Sequence, residues 1–316
     1  MNEVTVVIPT YNRALLTVRA VEAALSQSYL APRVLVVDDA STDNTRDALS
    51  KFIPLENFSY VQLKENLGTA HAKNVGLMLC NTEAITFHDS DDIPARDKLT
   101  CQAHTLFKSS AKADAALNWD STPILQGHIF KPDVVLSGHD IVLPTGQVKT
   151  VNNDLSLMDD FFPQVSIGSD LPGDWVHINS GLFRRSVFER IGGFDDCIEE
   201  DRDLRNRILI AGFSVRVMHH VLLRKFECED SLTQAVETNY ESPKRKADRT
   251  RIWKRISQWR KGEGVAPVIV DIPNLRLRSS SLRWPVAEHS VFATRETSCR
   301  LRSELFDCES IFKKVA

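Results

Sequence analysis

Several things are missing from this chain, and each absence removes a class of protein. Its six cysteines (Cys80, Cys101, Cys197, Cys228, Cys299 and Cys308) include no Cys-x-x-Cys pair. Neither a zinc knuckle nor a disulfide scaffold is expected, and a reducing compartment follows. No apolar run approaches the roughly 20 residues that a membrane span needs. Met1 leads almost at once into a strand-like run, Val4–Ile8. That leaves no room for a secretory leader, so a soluble cytoplasmic protein is expected. Thirteen Gly and thirteen Pro in 316 residues exclude collagen-like and low-complexity chains. No internal repeat is visible. No G-x-G-x-x-G follows the first apolar run, which argues against a nicotinamide oxidoreductase.

What is present is an ordinary globular composition, 42% apolar and 26% charged, and this excludes disorder as the main state. The formal charge of −3 hides an asymmetry. Residues 1–243 hold 22 Lys and Arg against 34 Asp and Glu, whereas residues 244–316 hold 17 against 8. An acidic body carries a basic tail, so either the two meet different partners or they attract one another.

Short β-branched runs alternate with helical periodicity over the first 110 residues. Val4–Ile8, Val34–Val37, Tyr60–Leu63 and Ala84–Phe87 read as strands buried on both faces. Helices are expected near Leu15–Ala24, Asp43–Phe52 and Thr69–Leu79, the second capped by Ser41 or Thr42. This alternation predicts a doubly wound α/β sheet with ligands beyond the carboxyl ends of the strands. Residues 111–170 read as an insertion with a few antiparallel strands. Regular structure resumes at Trp175–Phe183, with helices near Ser186–Ile191 and Asp201–Ala211 and a strand at Ser214–His219.

Three polar constellations fall at the expected strand ends. Asp89, Asp91 and Asp92 follow the fourth strand. Carboxylates packed this closely repel at low dielectric, and a hard cation such as Mg²⁺ or Mn²⁺ would keep them ionised. A solvated acidic turn is the plainer alternative. Tyr11 follows the first strand, and Asp38 and Asp39 close the second. An aromatic ring can stack on a base while a carboxylate accepts its imide N–H; a loop aromatic and helix caps are the alternatives. Gly192 and Gly193 then lead to Glu200 and Asp201 at a helix start, where the dipole favours an ionised carboxylate able to act as general base; an acidic cap balanced by Arg202, Arg205 and Arg207 on the same helix is the alternative.

In this order the segments resemble the inverting glycosyltransferases of family two, which have the GT-A fold. They are Val6–Arg13, Val36–Asp43, Asn66–Gly76, His88–Asp92, and Asn179-Ser180-Gly181 with Gly192–Leu204. The resemblance covers about residues 4–235. It implies a doubly wound mixed sheet, with a catalytic domain over 1–242 (nucleotide-sugar half about 1–110, acceptor half about 111–242) and a basic C-terminal extension over 243–316. It implies a nucleotide-sugar donor, UDP-linked foremost, and Mn²⁺ or Mg²⁺ as cofactor. Thr10 and Tyr11 would line the nucleobase pocket, with Asp39 or Asp38 bonding the base. Lys73 stands where relatives usually have Arg, in contact with pyrophosphate or base. Asp89 and Asp91 look like the metal pair, with Asp92 near the ribose or metal. Asp201 looks like the catalytic base, with Glu200 second. Trp175, Asn179 and Ser180 would lie on the acceptor side, Trp175 as a sugar platform or an apolar anchor.

The pattern has departures too. Many relatives carry a late His that can serve as a further metal ligand near Leu223–Thr233; here Phe226 and Cys228 occupy that stretch, and His219 and His220 read either as its replacement or, more simply, as strand-end histidines without metal. The processive Gln-x-x-Arg-Trp motif is absent, since Ser280 precedes Arg283-Trp284, so a single sugar would move to a hydroxyl acceptor, whether glycan, lipid-linked or protein. A catalytically idle nucleotide-sugar-binding or scaffold protein is the alternative, although it would be expected to lose Asp91 or Asp201.

The tail opens with Lys244–Lys261, nine basic residues and one acid, with Ile252, Ile256 and Trp259 on one helical edge. That edge could dock on the acidic body, lie on an anionic membrane at its inner face, or grip an acidic partner. Nucleic acid is disfavoured, because no binding module is recognisable. A strand-like Val265–Ile272 and an Arg-rich remainder follow.

Overall fold

The computed structural model describes residues 3–29, 31–108, 131–152, 177–227, 237–287 and 290–315, with side chains described as far as Cys308. Trp175 and Cys228, and most of the insertion expected over 111–170, lie outside the described residues.

The alternation read from the first 110 residues is realised as β1 (Val4–Thr10), α1 (Ala14–Leu25), β2 (Arg33–Asp38), α2 (Thr45–Leu49), β3 (Phe58–Leu63), α3 (Thr69–Leu79), β4 (Ala84–Phe87), β5 (Ile93–Pro94) and α4 (Lys98–Ala103). After these come β6 (Val134–Val142), β7 (Val148–Val151), β8 (Leu182–Arg184), α5 (Arg185–Ile191), α6 (Glu200–Ile210) and β9 (Val215–Phe226). The C-terminal part contributes α7 (Pro243–Gln258), β10 (Leu277–Ser280) and α8 (Arg295–Val315). Neighbours in the sheet run β10-β3-β2-β1-β4-β8-β6-β9-β5, with β7 on β6. The pairs β3-β2, β2-β1 and β1-β4 are parallel; β4-β8 and β8-β6 are antiparallel, so the sheet is mixed.

The wholly apolar strands are explained by their two covered faces. Val7, Leu35 and Val37 join α3, α5, α6 and α8 in one core, while Val6, Ile8, Val34 and Val36 face α1 and α4 in the other. Gly76 marks a close helix–sheet approach, since a Cβ there would sit 2.3 Å from Val7 Cγ1.

Past residue 242 the chain packs back onto the body. β10 pairs antiparallel with β3, and Leu277, Trp284, Leu301 and Leu305 belong to the same core as Val7 and Leu35. The Val265–Ile272 run is not a strand. It crosses the Gly192 turn and makes only isolated bridges, from Val268 to Gly192 and from Val270 to Ala293. Gly192 has φ +82°, and a Cβ there would lie 2.0 Å from the Val268 carbonyl oxygen.

Ser242 caps α7, accepting from the Arg245 N–H, and Pro243 fills its first turn. Its Ile252, Ile256 and Trp259 edge packs with Cys197, Ile210 and Val265. Of the three uses open to this helix, docking on the acidic body is the one the structure shows. Arg245 and Arg249 pair with Glu199, Arg251 with Asp195, and Arg255 with both Asp195 and Asp203. Part of the charge asymmetry of the sequence is thus an internal contact. Among the described residues, no helix is long and apolar enough to cross a membrane.

Candidate functional site

The carboxyl ends of β1, β2 and β4 lie side by side and bring their polar residues together. At the first two ends, Asn12 adopts φ 51° and accepts from the Thr42 N–H (2.7 Å), while its own N–H donates to Ser41 Oγ. Tyr11 projects from this junction, partly exposed. The Thr10 hydroxyl is turned inward against that of Thr17 at 2.6 Å. Asp38 is fully buried, accepting from the Ser41 N–H (2.7 Å) and the Tyr60 hydroxyl (2.6 Å). Asp39 accepts from the N–H groups of Leu67 and Gly68, ahead of α3. Burial raises the pKa of both carboxyls, against these hydrogen bonds. Thr10 and Asp38 therefore serve the loop architecture; Asp39 is buried as well, and of the four only Tyr11 is exposed.

The β4 end carries Asp89, Asp91 and Asp92. Asp91 is joined to Arg13 at 2.6 Å. Asp89 faces the Lys73 ammonium at 3.7 Å and the Asn179 amide at 3.5 Å. Lys73, on α3 and fully buried, also reaches Glu200 at 3.0 Å, so one ammonium links the β4 end to the start of α6. Burial pushes the Asp89 carboxyl up, but Lys73, Lys225, His177 and Arg13 together hold it below the ordinary range. Asp92 is almost wholly buried, and that burial raises it well above a normal aspartate. Glu200 is also raised by burial, against the pull of Lys73. Asp201 keeps 33% of its side chain exposed, against 11% for Glu200, and lies 3.9 Å from His177 Nδ1.

β9 runs well past the expected strand end and delivers Lys225, a residue the sequence reading passed over. This ammonium stays charged because Asp92, Asp89, Asp201 and Asp91 together overcome its burial. It drives His177 well below the ordinary histidine range, assisted by burial. His177 in turn meets His139 edge-on, with ring centroids 5.3 Å apart. His219 lies against the Asn152 carbonyl through Nδ1 at 3.4 Å. Ser180, expected on the acceptor side, is completely buried, and its hydroxyl accepts from the Ser137 N–H. It fastens the turn before β8 to β6 and is unavailable to an acceptor.

No group of three or more His, Cys, Asp or Glu among the described residues is arranged to hold a metal ion. Asp89 and Asp91 do present two hard oxygen donors at one strand end. That set fits Mg²⁺ or Mn²⁺ if a diphosphate supplies further ligands.

Residues 5–115 match the model of glycosyl transferase family 2. The chain is 36% identical over 113 residues to the glycosyltransferase GlyG of Streptococcus pneumoniae, covering 35% of this chain and 36% of GlyG. It is 34% identical over 106 residues to WfaP of Escherichia coli, a UDP-Glc:α-D-GlcNAc-diphosphoundecaprenol β-1,3-glucosyltransferase, covering 33% of this chain and 41% of WfaP. The matched region thus spans about two fifths or less of these relatives' length. Among solved structures, Staphylococcus aureus TarS 1–349 with UDP-GlcNAc superposes with a TM-score of 0.54 at 16% identity, covering 83% of this chain and 73% of that one. The mannosyltransferase PcManGT from Pyrobaculum calidifontis, with GDP-Man and Mn²⁺, gives 0.50 at 19%, covering 86% and 77%. These likenesses show the GT-A fold.

Proposed function

Because residues 5–115 belong to glycosyl transferase family 2, we propose that the chain moves one sugar from a nucleotide-sugar to a hydroxyl acceptor, with inversion. The observation that carries this reading is the Lys73 bridge, which joins the β4 carboxylates to the Glu200-Asp201 helix start. A leaving-group site and a base are thereby held in one place. Tyr11 and Asp39 take the nucleobase, by stacking and by accepting its N–H. Lys73, Arg13 and Lys225 lie among the carboxylates as fixed cations for the diphosphate. Asp89 and Asp91 would hold Mn²⁺ or Mg²⁺, whose chemistry is to neutralise charge on the departing diphosphate.

Asp201 is the base in this reading. It sits in the first turn of α6, at the positive end of the helix dipole, and it is more exposed than Glu200. It takes the proton of the acceptor hydroxyl as that oxygen attacks the anomeric carbon, on the face opposite the diphosphate. Asn179 holds Asp89 from the acceptor side. A UDP-linked donor is the first choice, supported by the UDP-sugars named for WfaP and TarS. We place the reaction in the cytoplasm.

The test is a thermal-shift screen of UDP-, GDP- and dTDP-sugars with Mn²⁺, followed by nucleotide release on transfer. One donor class should stabilise the protein. Asp201→Asn should keep that stabilisation and lose about 10²–10⁴-fold in transfer. Absence of any stabilisation would overturn donor binding, and full transfer by Asp201→Asn would overturn the base assignment.

A further inference from the structure

We infer that Tyr240 is an acceptor subsite, a stacking platform for a pyranose ring whose hydroxyl reaches Asp201; this rests on the transfer reaction proposed above. Tyr240 lies in the turn before α7 and keeps 44% of its surface exposed. The Arg245 guanidinium covers the ring at 5.1 Å from its centroid. With that guanidinium in place, the ring still keeps enough open surface to meet a ligand.

Arg245 is itself fixed. Its Nε donates to the Thr238 carbonyl at 2.7 Å, and its Nη1 meets Glu199, the residue immediately before Glu200 and Asp201, at 3.4 Å. The platform is thus anchored, through Arg245, to the carboxylate two residues before the base. A ring ordered in this way loses little entropy on binding.

Arg245, Asp201, Lys225 and Glu199 are charges that act on the Tyr240 phenol. Because Arg245 lies over the ring and also meets Glu199, a ligand on this ring would lie beside the start of α6, where an attacking hydroxyl must be. A pyranose suits both features of the place. Its C–H face, weakly positive, packs on the electron-rich ring. Its hydroxyls hydrogen-bond the carboxylates and the ammonium around it.

The test uses the full chain with UDP, GDP or dTDP and Mn²⁺, and compares wild type with Tyr240→Phe and Tyr240→Ala. Calorimetry reports nucleotide binding. Saturation-transfer difference NMR reports binding of methyl α- and β-glycopyranosides of glucose, galactose, mannose and N-acetylglucosamine to the nucleotide-loaded protein. Nucleotide affinity should be the same in all three proteins. At least one glycoside should receive saturation at its ring C–H protons, weaken about tenfold in Tyr240→Ala, and survive in Tyr240→Phe. Equal binding to Tyr240→Ala overturns the subsite, as does nucleotide binding without any glycoside signal. If no nucleotide binds the wild type, the transfer reading itself fails and takes this inference with it.

Discussion

Replacing Arg249, Glu199 or both would measure how firmly the basic helix holds the start of α6. The Glu199 side chain is only 4% exposed and accepts from three guanidiniums: Arg202, Arg245 at 3.4 Å and Arg249 at 2.8 Å. At 2.8 Å and an effective dielectric of about 20, one pair is worth about 6 kcal/mol before desolvation and side-chain ordering are subtracted. Arg249 is 22% exposed, so most of that gross attraction is offset. Arg249→Met should cost about 1–2 kcal/mol, because two cations still face the carboxylate. Glu199→Gln should cost more, about 3–4 kcal/mol, because three guanidiniums lose their counter-charge together. The double variant should fall short of the summed losses by about 1.5 kcal/mol. Urea unfolding with a common m-value measures this, and the shortfall should shrink in high salt. A coupling below about 0.3 kcal/mol would refute the reasoning, since the Arg249–Glu199 pair would then add nothing to the hold on the helix.

Two further predictions concern the layer beneath the site. Lys98 is fully buried, and burial pushes its ammonium down to about 7. The unfolded chain therefore holds a proton that the native protein gives up above that pH, so stability should rise between about pH 7 and 10, by up to about 1.4 kcal/mol per unit. Thermal midpoints of wild type and Lys98→Met across that range check this, the variant losing the slope; parallel curves would show Lys98 charged throughout. Gly76→Ala should destabilise by about 1–3 kcal/mol, because the added methyl meets Val7 and Val37 across the helix–sheet contact. Chemical denaturation gives the value, and an unchanged midpoint would mean that α3 can retreat without loss.

Much of the donor half was readable, because its information is local. Four apolar runs with polar ends specify buried parallel strands, and the ends are where Asp39, Asp89 and Asp91 stand. Lys73 was legible as a position, but its bridge to Glu200 spans 127 residues and depends on where α6 lands against α3. Lys225 was harder to see. It reaches the carboxylates because β9 continues alongside β6, with Lys225 opposite Ile141, and periodicity alone does not fix where a strand stops. Ser180 illustrates the opposite error, a motif residue taken for a ligand whose hydroxyl serves the Ser137 backbone. The basic tail displayed its apolar edge in the sequence. Its docking surface, built from Glu199, Cys197 and Ile210, exists only once α6 has folded.

The placement of β10 has a practical consequence. β3 is buried along its whole length, and β10 occupies the hydrogen-bonding edge that would otherwise end the sheet on that side. A fragment cut at residue 242, where the charge changes sign, would present β3 as a bare strand with unpaired amides and carbonyls. Such an edge recruits the same edge of another molecule. The C-terminal segment thus keeps the sheet from templating its own aggregation, a protection that any shortened form would have to restore.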